Sequence, residues 1–82
     1  MIYRDIISRP PWEIEISNHA FEQALLRDVN SFLIESAIRC GRMEWFGKNY
    51  VRFVFECSGG RLICLGEKKT RNFIKILIIE WG

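Results

Sequence analysis

The sequence predicts a single α+β domain, with two N-terminal helices packed on a curved antiparallel sheet of about four strands. Three observations predict it. The chain has 82 residues, the size of one domain, and its 49% hydrophobic, 13% aromatic and 27% charged residues suit an ordered core. Residues 19–40 carry two stretches of helical spacing with capping signals. From residue 42 onward the pattern turns to alternating, Val- and Ile-rich runs punctuated by glycine turns.

In chain order, residues 1–11 read as a lead-in segment closed by Pro10-Pro11, and 12–81 as the body of one domain. Trp12 to Ser17 alternate polar and apolar, as a short strand or extended lead-in does. The first helix is expected over 19–28, with Asn18 as its cap. Ala20, Phe21, Ala24 and Leu25 fall on one side and His19, Glu22, Gln23 and Arg27 on the other, where Leu26 is the apolar intruder. The second helix is expected over 31–40: Asn30 caps it, Val29 staples against Ile34, and Gly41 takes the left-handed position that ends it.

Strands over 42–46 and 49–57 flank a compact Gly47-Lys48 turn. Ser58-Gly59-Gly60-Arg61 is a hairpin signal that sets Cys57 opposite Leu62 and Phe55 opposite Cys64. That register puts the Cα atoms of Cys57 and Cys64 roughly 7–8 Å apart on a diagonal, too far for an unstrained disulfide. The last strand, 72–81, is apolar on both faces apart from Lys75 and Glu80, as a central or strongly curved strand is. A meander with the helices on one face is the simplest topology. Ile74, Ile76 and Ile78 on the outer face of that strand would give a homodimer its contact.

Several function classes are excluded or disfavoured. No run of 18 apolar residues exists to span a membrane, and Met1 to Asp5 lacks a secretory apolar region, so a cytoplasmic protein with no membrane partner is expected. Three cysteines, Cys40, Cys57 and Cys64, read as free thiols. One histidine and no CxxC cannot make a four-ligand zinc site, and no phosphate-cradling loop is present, so no metal and no cofactor are expected. A net charge of +2 permits an anionic partner without demanding one.

Two sets of residues carry candidate chemistry. On the first helix His19, Glu22 and Arg27 share a stripe; a histidine can move protons near neutral pH, an arginine can hold a phosphate, and Glu22 can orient either. With Arg52 as a second phosphate holder, these four are the candidate catalytic residues of a metal-independent RNA cleavage, in which a base takes the 2′-hydroxyl proton and cations steady the phosphate. A polar stripe is also what any solvated helix face presents. The second set is basic residues with the aromatic rings Trp45, Phe46 and Tyr50 among them: Arg42, Lys48, Arg71 and the ring of Tyr50 are the candidate nucleic-acid contacts, with Arg61, Lys68 and Lys69 as further turn cations of the kind that also serve solubility. Cys57 and Cys64, set among Val51, Phe53 and Phe55, read as core residues rather than nucleophiles.

His19-Ala20, Glu22, Arg27 and Val29 resemble the opening of a small domain-of-unknown-function family of the RelE/ParE toxin superfamily. Ala37-Ile38 with Gly41, then Gly47-Lys48-Asn49-Tyr50, then the strand from Ile76 to Glu80, resemble its later parts, so the likeness covers about residues 17–81. Gln23 stands where that family usually has arginine, which removes a phosphate ligand, and Asp28 where glycine is common, so a different turn between the helices is expected. The resemblance implies a RelE-like fold, an endoribonuclease or RNA-binding activity with RNA or the ribosome as target, and an antitoxin protein as partner. It leaves open a non-catalytic protein- or RNA-interaction module of the same fold.

Overall fold

The computed structural model describes residues 6–82, in which two helices lie against a strongly curled six-stranded sheet. The elements are β1 (Ile6–Arg9), β2 (Trp12–Ile16), α1 (Asn18–Leu26), α2 (Ser31–Cys40), β3 (Arg42–Phe46), β4 (Tyr50–Cys57), β5 (Gly60–Thr70) and β6 (Phe73–Trp81). Residues 1–5 of the expected lead-in lie outside the described residues.

The α+β class holds, and β3 to β6 form the expected antiparallel meander. Two features correct the rest. The sheet has six strands in the order β1-β2-β6-β5-β4-β3 and is mixed, because β2 joins β6 in parallel. The helices therefore lie mid-sequence, after a β1–β2 hairpin, and part of the expected lead-in is a strand. Sequence pattern did not reveal this because β1 is four residues long and its pairing partner, β2, is itself an addition to a strand some 60 residues away.

α1 begins one residue earlier than expected, and Ser17 rather than Asn18 caps it, its Oγ accepting the Ala20 N–H at 3.1 Å. Ala20 and Ala24, small and one turn apart, are the residues that bring α1 down onto β6; Leu25 stays exposed. The helix ends in a Schellman motif: Val29 N–H donates to Ala24 O (2.8 Å), Asp28 N–H to Leu25 O (3.2 Å). The motif needs a left-handed residue at its hinge, and Asp28 adopts it with φ of 60°. The turn is thus the one glycine would make, which corrects the expectation of a different one.

α2 runs over the expected residues, and Asn30 caps it, its Oδ1 accepting the Leu33 N–H at 2.8 Å. Gly41 ends it in an extended conformation, φ −69° and ψ 160°, and not in the left-handed one. Glycine is needed there for room: a Cβ would stand 2.3 Å from Ala37 O and 3.2 Å from Val54 O. Arg9 of β1 completes the C-terminus, its Nη1 donating to Ile38 O (3.0 Å) and Gly41 O (2.7 Å). A cation at that end also meets the negative pole of the helix dipole, and charge-assisted bonds of this kind contribute about 1.5–3 kcal/mol.

The core lies between the helices and one face of the sheet, built from Ile7, Ile14, Ile16, Ile34, Ile38, Phe53, Leu62, Ile74, Ile76 and Ile79 with their smaller neighbours. The β4–β5 hairpin closes on the pair Cys57↔Gly60 with Ser58-Gly59 as its loop, so Phe55 faces Leu62 and Phe53 faces Cys64. This is two residues from the expected register and puts Cys57 farther from Cys64 than a diagonal. The β3–β4 turn has three residues, 47–49, one more than expected, and closes on Phe46↔Tyr50. Cys64 is buried, and the loss of water there pushes its thiol pKa up to about 12.

β6 carries a bulge: Ile76 pairs with Gly66 and Ile78 with Leu65, leaving Leu77 extra. The bulge switches the inward parity from Ile74 and Ile76 to Ile79. Ile74 and Ile76 are therefore core residues and not the outer-face contact expected of them; Ile78 alone of the three is exposed, at 40%. Opposite, Gly66 provides space, since a Cβ would stand 2.8 Å from Ile74 Cγ2 and 2.9 Å from Ile76 Cδ1.

Asp28→Gly is expected to raise stability by about 1 kcal/mol, because a left-handed non-glycine residue costs roughly that much. Gly41→Ala is expected to lower it by about 1–3 kcal/mol, because the added methyl meets backbone atoms that cannot move aside cheaply. Urea unfolding followed by circular dichroism measures both, and a Gly41→Ala variant as stable as wild type would contradict the close-approach account.

Candidate nucleic-acid interface

Three turns meet at one end of the sheet: 10–11 between β1 and β2, 47–49 between β3 and β4, and 71–72 between β5 and β6. The parallel strands β2 and β6 start side by side there, with Glu13 N–H donating to Asn72 O at 2.8 Å. The third turn is tied in by Lys68 N–H, which donates to Asn49 O at 2.6 Å.

Strand alternation places aromatic rings on both faces of this end. Trp45 points to the helix-bearing face, as its partner Val51 does, and its ring meets Trp12 with centroids 5.2 Å apart. Because β2 and β3 lie near opposite edges of the sheet, this contact closes the curl across its concave side. Lys68 sits above Trp12, its Nζ 5.9 Å from the ring centroid. Phe46 points to the helix-free face and stacks on Tyr50, centroids 5.7 Å apart and planes 21° from parallel. The Arg52 guanidinium lies 5.4 Å from the Phe46 centroid. Phe46 and Tyr50 are 40% and 41% exposed, so rings stacked on each other still offer open faces.

The cations divide by partner. Lys48 and Arg71 are exposed in the turns, and among the described residues neither has an ion-pair partner. Lys69 pairs with Glu67 at 2.9 Å. Arg42 and Arg52 share one carboxylate, Glu44, through their Nε atoms at 2.7 and 2.9 Å. The bond from Arg42, then that from Arg52, holds the Glu44 carboxyl below its ordinary value of 4.5. One acid between two guanidiniums leaves a positive charge on the helix-free face beside the Phe46–Tyr50 stack.

Of the candidate nucleic-acid contacts, Lys48, Tyr50 and Arg71 converge on this end, whereas Arg42 lies at the far end of β3, opposite Val54. The candidate catalytic residues are distributed differently. His19 and Glu22 are exposed on α1. Arg27 is the C-cap of α1, its Nη1 donating to Gln23 Oε1 at 2.7 Å, so Gln23 positions this arginine. The Arg27 carbonyl in turn accepts Trp81 Nε1 at 2.7 Å, which fixes it at the end of β6 away from the three turns. Arg52 lies on the face of the sheet opposite the helices. The three α1 residues share one helix, and Arg52 is not brought to them. Trp12 and Lys68 were missed as an aromatic–cation pair; the parity of Trp12 with Ile14 and Ile16 was the available signal for the ring, and nothing local signals its partner. Among the described residues no cluster of three or more His, Cys, Asp or Glu could hold a metal, and no helix is long and apolar enough to cross a membrane.

The chain matches no family model, no curated protein and no solved structure.

The shared carboxylate has a testable consequence. A carboxyl lowered by its partners contributes fully above its unfolded value near 4.5, and the contribution is lost as pH falls through the lower folded value. In a carboxyl-detected NMR titration Glu44 should therefore titrate below 4.5, and Arg42→Ala should move it upward more than Arg52→Ala does. An unchanged midpoint in both variants would show the ion pairs to be absent in solution.

Proposed function

We propose that the protein is a module that binds single-stranded RNA at the three-turn end of its sheet, without cutting it. The observation that carries this reading is the exposed Phe46–Tyr50 stack with Arg52 against it, beside the exposed cations Lys48 and Arg71. Open aromatic faces next to backbone-seeking cations are how single strands are held, since every base has a face to stack and every nucleotide a phosphate. The resemblance to the RelE/ParE superfamily favours RNA over DNA as the strand. The modest net charge of +2 agrees with a short footprint, because only the charges at one end are engaged.

A second reading, a metal-independent endoribonuclease of RelE type, is favoured by one observation: His19 and Glu22 are exposed one turn apart, with Arg27 held in place farther along the same helix. Without Arg52 this set lacks its second phosphate holder, so binding is the better supported activity.

One experiment separates the two. Fluorescence anisotropy with a labelled oligouridylate should give binding that Tyr50→Ala and Phe46→Ala each weaken by about 1–3 kcal/mol, the contribution of a stacked base. Lys48→Ala and Arg71→Ala should each flatten the salt dependence by about one unit of slope. The RNA should remain intact in EDTA. Cleavage in EDTA that disappears in His19→Ala and Arg27→Ala would establish the endoribonuclease instead, and binding indifferent to both ring substitutions would remove the interface proposed here.

A further inference from the structure

The tryptophans of the chain use their indole N–H groups differently. Trp81 donates its own to Arg27 O at 2.7 Å. Trp12 and Trp45 meet with centroids 5.2 Å apart and planes 44° from parallel, and among the described residues neither donates its indole N–H to a protein acceptor. Trp12 is half-buried, yet no side-chain nitrogen among the described residues is buried without a partner, so its donor opens to solvent. Trp45 is 46% exposed. An aromatic residue of this kind offers a stacking face and a polar handle together.

The groups beside this pair are donors too. Lys68 lies 5.9 Å from the Trp12 centroid and forms no ion pair among the described residues. Its ladder partner is the core residue Ile74, which puts it on the helix-bearing face with the two rings. The acids of the same strands point the other way. Glu13 alternates with Trp12 and Ile14, Glu44 with Trp45, and Glu67 with Lys68. An ammonium and two indole N–H groups with no strand carboxylate on their face make a donor set that calls for an acceptor from outside.

β3 joins this set to the outer stack. Trp45 and Phe46 are consecutive, so they stand on opposite faces of an edge strand at the same end, and the turn that carries Lys48 is the crest between them. A single strand leaving the Phe46–Tyr50 stack over that crest meets Lys48, then Trp45, then Lys68. The order is base platform, phosphate contact, base platform, phosphate contact. The geometry points to Trp12, Trp45 and Lys68 as a second subsite for the same RNA strand. A base lies on the open face of Trp45, and the adjoining phosphate accepts from Lys68 and an indole N–H. This inference takes RNA as the ligand from the reading above and adds the course of the strand, which wraps the end of β3 and does not stay on the outer face.

Nitrogen–proton correlation NMR tests it, because each tryptophan gives one indole signal; Trp12→Phe, Trp45→Phe and Trp81→Phe assign them. On addition of an octauridylate the Trp12 and Trp45 signals should shift, and the Trp81 signal, whose donor is already bonded, should stay. In anisotropy Trp45→Ala should weaken binding about tenfold, as the loss of one stacked base does. Lys68→Ala should flatten the salt dependence by about one unit of slope. Circular dichroism confirms that each variant is folded, and the wild-type NMR readout needs no variant to keep its fold. Octauridylate that binds through Phe46 and Tyr50 while both indole signals stay still overturns the second subsite and leaves the reading above intact. So does binding that neither Trp45→Ala nor Lys68→Ala alters. Shifts of both indoles with binding indifferent to Phe46→Ala and Tyr50→Ala would uphold this subsite and remove the outer one. An octauridylate that does not bind at all removes both.

Discussion

The parallel pairing of β2 with β6 is the constraint on which the rest of this structure depends. It moves the last strand of the chain from an edge to the interior of the sheet. It also continues directly into the first helix: Ser17, one residue past β2, donates its N–H to Ile76 O at 3.1 Å while its side chain caps α1. At the other end of the helix the Trp81 indole holds the Arg27 carbonyl. β6 therefore fixes α1 at both termini, and the two buried alanines between them have only to be small. Contacts between residues this far apart in sequence form late, because the loop-closure entropy must be met before they return any free energy. The helices and the β3–β5 hairpins can form from local information; their placement waits for the C-terminal strand.

The curl is the second consequence. A β-bulge at Leu77 and the side-chain-free position at Gly66 let the sheet bend around α2. The bend is then closed at two levels, by Arg9 reaching from β1 to the end of α2 and by Trp12 meeting Trp45. Curling has opposite effects on the two faces. On the concave side it concentrates the core, and on the convex side it spreads the side chains apart, so that Ile78 stays 40% exposed although Val54 is covered to 6%. The partial exposure of Ile78 and the outward setting of Ile63 and Leu65 follow from that geometry.

How far this was legible in the sequence depended on whether the signal was local. The second helix, its Asn30 cap and the alternation of β4 were readable because caps and periodicity involve residues within a turn or two of each other. The hairpin at Ser58-Gly59 was readable as a turn, but its register was not, because Gly60 serves equally well inside the loop or as the first strand residue. Gly41 was expected for its freedom of φ and proved necessary for its lack of a side chain, a requirement imposed by Val54 O from another strand. Arg9 carries no periodic signal and Trp12 only the parity of its own strand, whereas both act across the fold. For the candidate site, Lys48, Tyr50 and Arg71 were picked out by residue type alone. Their convergence, and the separation of Arg52 from His19, follow from strand order and parity, which depend on the β2–β6 pairing.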